Sequence, residues 1–185
     1  MAKHFPGHGN PSGDSHRKLQ FVNRDYEELD SIDLYPFRKY SDAGLSGIMV
    51  GHLAVPSIDS SGLPAAVSPT VINELLRKNL NFGGLVMTDA MNMGGAEGYS
   101  SADAIIAGAD LIIAPRNTYE DIREICEKVK SGELPQEELK ERCRRIVFYK
   151  NLFLNDTSAI RMNRIREEVS RNSDSIRLKL RGIGL

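Results

Sequence analysis

No run of apolar residues in this chain approaches the ~20 that a bilayer-spanning helix requires, and the first residues form neither a basic n-region nor an apolar h-region. A membrane span is therefore not expected. Location and export stay open, with the cytoplasm as the default. Charge of either sign is equally short: 24 Lys and Arg stand against 25 Asp and Glu, which leaves no basic surface to meet a phosphate backbone and argues against nucleic acid as a partner. Only two cysteines are present, Cys126 and Cys143. Each falls on the apolar stripe of a predicted helix, so both are expected to be reduced core residues rather than a disulfide framework. Neither a G-x-G-x-x-G nor a Walker-type phosphate loop occurs. What is present is the composition of an ordinary folded chain, 41% hydrophobic and 26% charged.

The densest chemistry lies at one end. Residues 3–16 read KHFPGHGNPSGDSH and gather a lysine, three histidines and an aspartate in a segment where Pro6, Gly7, Gly9, Pro11 and Gly13 forbid a helix. His4 and His8 therefore do not share a helix face, and a zinc site of the H-E-x-x-H kind loses its geometric basis. A metal-dependent hydrolase would instead need His4, His8 and His16 to converge from a loop. The alternative is a loop that aims polar groups at a ligand, with Asp14 two residues before His16, placed to fix the tautomer of that ring and favour its protonated form. His8, between two glycines, is expected to hold the loop.

The rest of the chain alternates strands with amphipathic helices. Gly47–His52, Leu85–Thr88 and Asp110–Ala114 read as short apolar strands. Ser68 with Pro69 opens a helix bearing Ile72, Leu75, Leu76 and Leu80. Ser100 or Ser101 caps a second that ends at Gly108, Asn117 with Glu120 opens a third that ends near Gly132, and a fourth carries Leu139, Cys143, Ile146 and Val147. Such alternation predicts parallel βαβ units. A closed (β/α) barrel and an open doubly wound sheet share that local pattern, but barrels place chemistry at the C-terminal ends of their strands. Lys3, His4, His52 and Asp89 all follow or end apolar runs, which favours the barrel. Asp59, Arg116 and Asn117 are surface-loop candidates with no specific role.

The pattern K-H-F-P-G-H-G, four variable residues, then D-S-H resembles the family 3 glycoside hydrolases, in particular their β-N-acetylhexosaminidase branch. The segment Gly83-Gly84-Leu85-Val86-Met87-Thr88-Asp89-Ala90-Met91-Asn92-Met93 is similar to that family's nucleophile segment. The resemblance runs from Lys3 to about Asn155. It implies an α/β fold, a partial (β/α)8 TIM barrel made of about the last four βα units, with a charged helical extension at residues 156–185 leading towards a second domain. Compared with the family, Lys3 stands where the fifth strand has just ended. The chain is then expected to be a fragment, a mis-set start, or a half-barrel that pairs with another copy through exposed barrel edges.

The same resemblance implies the chemistry. Retaining glycoside hydrolysis needs a carboxylate nucleophile and a proton donor flanking one bond. Asp89 takes the first role, and His16 with Asp14 the second. Lys3 and His4 would bind sugar hydroxyls. The implied substrate is a terminal β-linked N-acetylglucosamine, from peptidoglycan fragments in wall turnover or recycling, with no cofactor or metal. A histidine acid/base carries no negative charge of its own, so phosphate is able to compete with water, and phosphorolysis is the alternative outcome. An inactive remnant or binding subunit is the competing reading of a different kind.

Overall fold

A computed structural model describes residues 1–9 and 18–154 of the chain. The chain divides into two compact units, Met1–Tyr149 and Lys150–Leu185. The expected helical extension at 156–185 lies outside the described residues.

Four parallel strands make the main sheet of the first unit: β1 (Ala2–Phe5), β3 (Gly47–Val50), β5 (Leu85–Ala90) and β6 (Leu111–Ile113), in the order β1-β3-β5-β6. Two shorter strands, β2 (Gln20–Phe21) and β4 (Leu53–Ala54), pair in parallel beside it. The sheet is thus α/β with sequential, all-parallel connections, as the alternation of strands and helices predicts. One strand exceeds expectation: Lys3 and His4 do not follow a missing strand but lie within β1, whose Ala2 and Phe5 register with Ile48 and Val50.

Local chemistry sets the element ends. Ser68 Oγ accepts the Val71 N–H at 3.1 Å and so caps the helix Thr70–Asn79, which is wound wide along its length and ends with Leu80 N–H bonded to Leu75 O. Its buried Val71, Ile72, Leu75 and Leu76 pack on the sheet. Helix α3 (Ser101–Ala107) begins with a full capping box, Ser100 Oγ accepting from Asp103 N–H and the Asp103 carboxylate from Ser100 N–H. Asn117 Oδ1 accepts from the amides of Tyr119 and Glu120 to start α4 (Thr118–Ser131), which stops at the left-handed Gly132. Ahead of these, Asp25 caps the short α1 (Tyr26–Glu28), a wide turn spans Leu29–Asp33, and α2 (Tyr35–Asp42) follows with Pro36 in its first turn. None of these three elements was predicted from the sequence.

The core lies between the sheet and the helices that follow its strands. Phe5, Ile48, Val50, Val86, Ile72 and Leu76 have lost essentially all contact with solvent, and each contributes about 1.5–3 kcal/mol of burial. Phe5 meets Phe37 of α2 edge to face, with ring centroids 5.1 Å apart.

The expectation for the cysteines does not hold. Cys126 and Cys143 are both exposed. Helix α4 buries no residue, and over residues 136–152 of α5 (Gln136–Leu154) the one buried position is Arg142. The periodicity correctly marks an apolar stripe, but the stripe with Ile122, Val147 and Phe148 faces outward. Helix α5 is joined to the sheet by charge instead. Arg145 Nη1 reaches Asp110 Oδ1 at 2.5 Å, and Arg77 Nη2 reaches Asp110 Oδ2 at 2.7 Å. The Asp110 side chain is fully buried and also accepts the Val86 N–H.

Candidate functional site

The site is built at the C-terminal ends of β1, β3 and β5. His4 lies on β1 and Asp89 is the penultimate residue of β5, with His4 Nε2 3.5 Å from Asp89 Oδ2. Both side chains are partly open to solvent. The other carboxylate oxygen, Oδ1, accepts the N–H of Ala90 at 2.8 Å. His4 also meets His8 in an edge-to-face contact, centroids 5.1 Å apart. Lys3 is exposed, and with His4, Gly7, His8 and Asp33 it borders an open cavity of about 560 Å³ that continues past Phe37 and Tyr40 of α2.

The end of β3 leaves room for His4. Gly51 follows Val50, and a Cβ added there would sit 3.3 Å from the His4 Cβ. A side chain at this position would press on His4, which would have to give by a few tenths of an ångström.

The turn after β1 is held from below. Gly7 donates its N–H to His4 O at 2.9 Å and adopts φ +115°, a conformation that side chains disfavour. A Cβ on Gly7 would come within 2.5 Å of the Asp33 Cβ. Asp33 then accepts the Gly9 N–H through Oδ1 at 3.2 Å, while its Oδ2 stands 3.1 Å from Arg24 Nη1. The peptides Lys3–His4 and Phe5–Pro6 are both cis. Sequence reasoning missed Arg24, Asp33 and Gly51. The first two lie in an acidic stretch without a motif, and their only signal is a charge pair brought together by folding.

Other candidates take different places. His52 follows β3, as its place after an apolar run predicts, and is 1% exposed with Nε2 3.1 Å from Ala90 O. Burial pushes its pKa below the ordinary histidine value, although the Ala90 carbonyl and the charge of Asp89 pull the other way. Asp59 accepts hydrogen bonds from Ser61 N–H and from Ser68 Oγ. Burial works to raise its pKa, and those bonds outweigh it to hold the carboxyl below its usual value. Arg116 donates to the carbonyls of Met93, Ala96 and Tyr99 and so ties down the loop after β5. Asn117 is the cap of α4. Asp14 and His16 lie outside the described residues. Among the described residues, no group of three His, Cys, Asp or Glu is placed to hold a metal ion, and no helix is long and apolar enough to cross a membrane.

Comparison with known proteins places this geometry. The sequence profile of the glycosyl hydrolase family 3 N terminal domain matches residues 1–148. A beta-hexosaminidase of Chromobacterium violaceum is 36% identical over 116 residues, 60% of this chain and 32% of that protein. The structure of a glycoside hydrolase family 3 beta-N-acetylglucosaminidase from Paenibacillus sp. str. FPU-7 superposes with a TM-score of 0.80 at 32% identity, covering 85% of this chain and 31% of the other. A beta-glucoside phosphorylase, BglX, superposes at 0.78 with 26% identity, covering 85% and 31%. The chain spans about a third of the length of the relatives it matches. Its parallel sheet and helices correspond to part of their barrel.

Proposed function

This chain belongs to glycosyl hydrolase family 3, and from that premise we propose that it carries the nucleophile side of a retaining glycosidase that removes terminal β-linked N-acetylglucosamine. The observation that carries the reading is the meeting of His4 and Asp89 at the C-terminal ends of parallel strands. Asp89 is held as a nucleophile needs to be held. Its Oδ1 is occupied by the Ala90 amide, which leaves Oδ2 on the side of His4 to attack an anomeric carbon. His4 and the exposed Lys3 supply donors for ring hydroxyls.

His16 protonates the departing oxygen and then activates the acceptor, with Asp14 favouring its charged form. The two names that support this substrate are the beta-hexosaminidase and the beta-N-acetylglucosaminidase above. Peptidoglycan fragments are the natural source we assign. Residues 1–155 form the C-terminal half of the barrel in this reading, and 156–185 lead towards a second domain. The edge strands β1 and β6, each paired on one side only among the described residues, provide for self-association. Light scattering of the purified chain checks that point, and a strictly monomeric sample would refute it.

The functional test is hydrolysis of a nitrophenyl β-N-acetylglucosaminide by whichever length of the protein turns it over. Asp89→Asn is expected to abolish turnover with the fold retained, and near-normal rates would remove the assignment. The resemblance to a phosphorylase supports a second outcome. If added phosphate diverts the product from free sugar to sugar 1-phosphate, the acceptor is phosphate rather than water.

A further inference from the structure

We propose that His52 is a positioning residue for Asp89, a neutral imidazole under the site that ties the end of β5 to β3 where their backbone ladder has stopped. The proposal rests on the reading of Asp89 as nucleophile, and its geometry is independent of that reading.

The ladder between β3 and β5 runs from Gly47↔Leu85 to Val50↔Thr88. Asp89 and Ala90 lie beyond it and have no partner in that register. On the far side the residues flanking them are held: Ile113 donates its N–H to Thr88 Oγ1 at 3.1 Å, and Met91 donates its N–H to Ile113 O at 2.9 Å. On the β3 side, His52 Nε2 bonds to Ala90 O at 3.1 Å. The peptide joining Ala90 to Met91 is therefore gripped at both ends, its carbonyl by His52 and its N–H by Ile113. The neighbouring peptide, between Asp89 and Ala90, supplies the N–H that binds the Asp89 carboxylate. Fixing one peptide limits the swing of the next. A reacting group has to be held within about half an ångström of its productive geometry, and residues behind it commonly do the holding.

The protonation state follows from the partners. A carbonyl oxygen only accepts, so Nε2 carries the hydrogen. Nδ1 is buried with no hydrogen-bond partner among the described residues. A hydrogen there would be a buried donor left unpaired, which proteins avoid, so Nδ1 is the bare nitrogen and the ring is neutral. The burial that lowers its pKa acts in the same direction.

The test uses the full 185-residue chain. Nitrogen NMR of the His52 ring is expected to report the Nε2–H tautomer, neutral at pH 7. A protonated ring or the Nδ1–H tautomer would overturn the proposal. Amide exchange supplies the second measurement. His52→Phe is expected to speed exchange at Ala90 and Met91 by about tenfold or more while Ile48 and Val86 keep their protection. His52→Gln, whose side-chain amide can still donate to Ala90 O, is expected to restore the pattern. Unchanged exchange at Ala90 in the Phe variant, or an equal loss across the whole sheet, refutes the brace. Should the Phe variant fail to fold, the Gln variant and the ring tautomer decide. The two readings fail differently: undiminished turnover by Asp89→Asn removes the nucleophile and with it the catalytic purpose of the brace, whereas unchanged exchange removes the brace alone.

Discussion

His4 Nε2 stands 3.5 Å from Asp89 Oδ2 although β1 and β5, which carry them, are not neighbours, because β3 runs between them. The contact passes over the end of the middle strand, so it reports on the alignment of three strands at once. In the proposed reaction His4 binds the sugar and Asp89 attacks it. His4→Ala is then expected to raise KM by roughly ten- to a hundredfold, the equivalent of one charge-assisted or well-placed hydrogen bond. An unchanged KM with a fallen kcat would shift His4 from binding to chemistry.

His16 is separable from Asp89 by the leaving group. His16→Ala should slow glycosides with poor leaving groups far more than activated aryl glycosides, because only the former need a proton delivered to the departing oxygen. Comparing the two substrate classes checks this, and equal losses on both would make His16 a structural residue. Asp14→Asn is expected to give a milder form of the same defect.

Asp110 tests how α5 is attached. Its fully buried carboxylate joins Arg77 and Arg145 and accepts the Val86 N–H. Asp110→Ala leaves the arginines without their partner and is expected to destabilise the fold by about 3–5 kcal/mol, read as a lowered denaturation midpoint. A loss under about 1 kcal/mol would mean that the cluster contributes little beyond its own desolvation.

His52 gives stability a pH dependence. Its folded pKa is depressed, so above the unfolded value of about 6.5 the ring is neutral in both states and the fold bears no penalty. As pH falls below that value the unfolded chain takes up a proton that the folded one resists, and stability declines until the folded pKa is passed. The charged groups that act on the ring are Asp89, which opposes the shift, and Arg116, which adds to it. Chemical denaturation at pH 7.5 and pH 5.5, values about one unit either side of 6.5, is expected to show a larger loss in the wild type than in His52→Gln. Equal losses would place the acid sensitivity elsewhere.

How much of this was legible beforehand depends on the range of the interaction concerned. Ser68, Ser100, Asn117 and Gly132 act on residues within a turn of themselves, so their caps are written in the local sequence. Asp89 was legible through the segment around it. The hold of Asp33 on Gly9 and of Arg24 on Asp33 was not, because nothing near Gly9 in sequence announces a carboxylate that arrives from another element. Periodicity marked the stripe holding Cys126 without saying what it would face. The sequence placed His52 after an apolar run, but its burial and its bond to Ala90 O come from a partner 38 residues away that nothing nearby announces.

Gly51 touches the site without taking part in it. A methyl group added there would stand 3.3 Å from the His4 Cβ, so His4 would have to give by a few tenths of an ångström while the identities of His4 and Asp89 stayed the same. In the proposed reaction, the reach of His4 is then adjustable through a position that carries no chemistry at all.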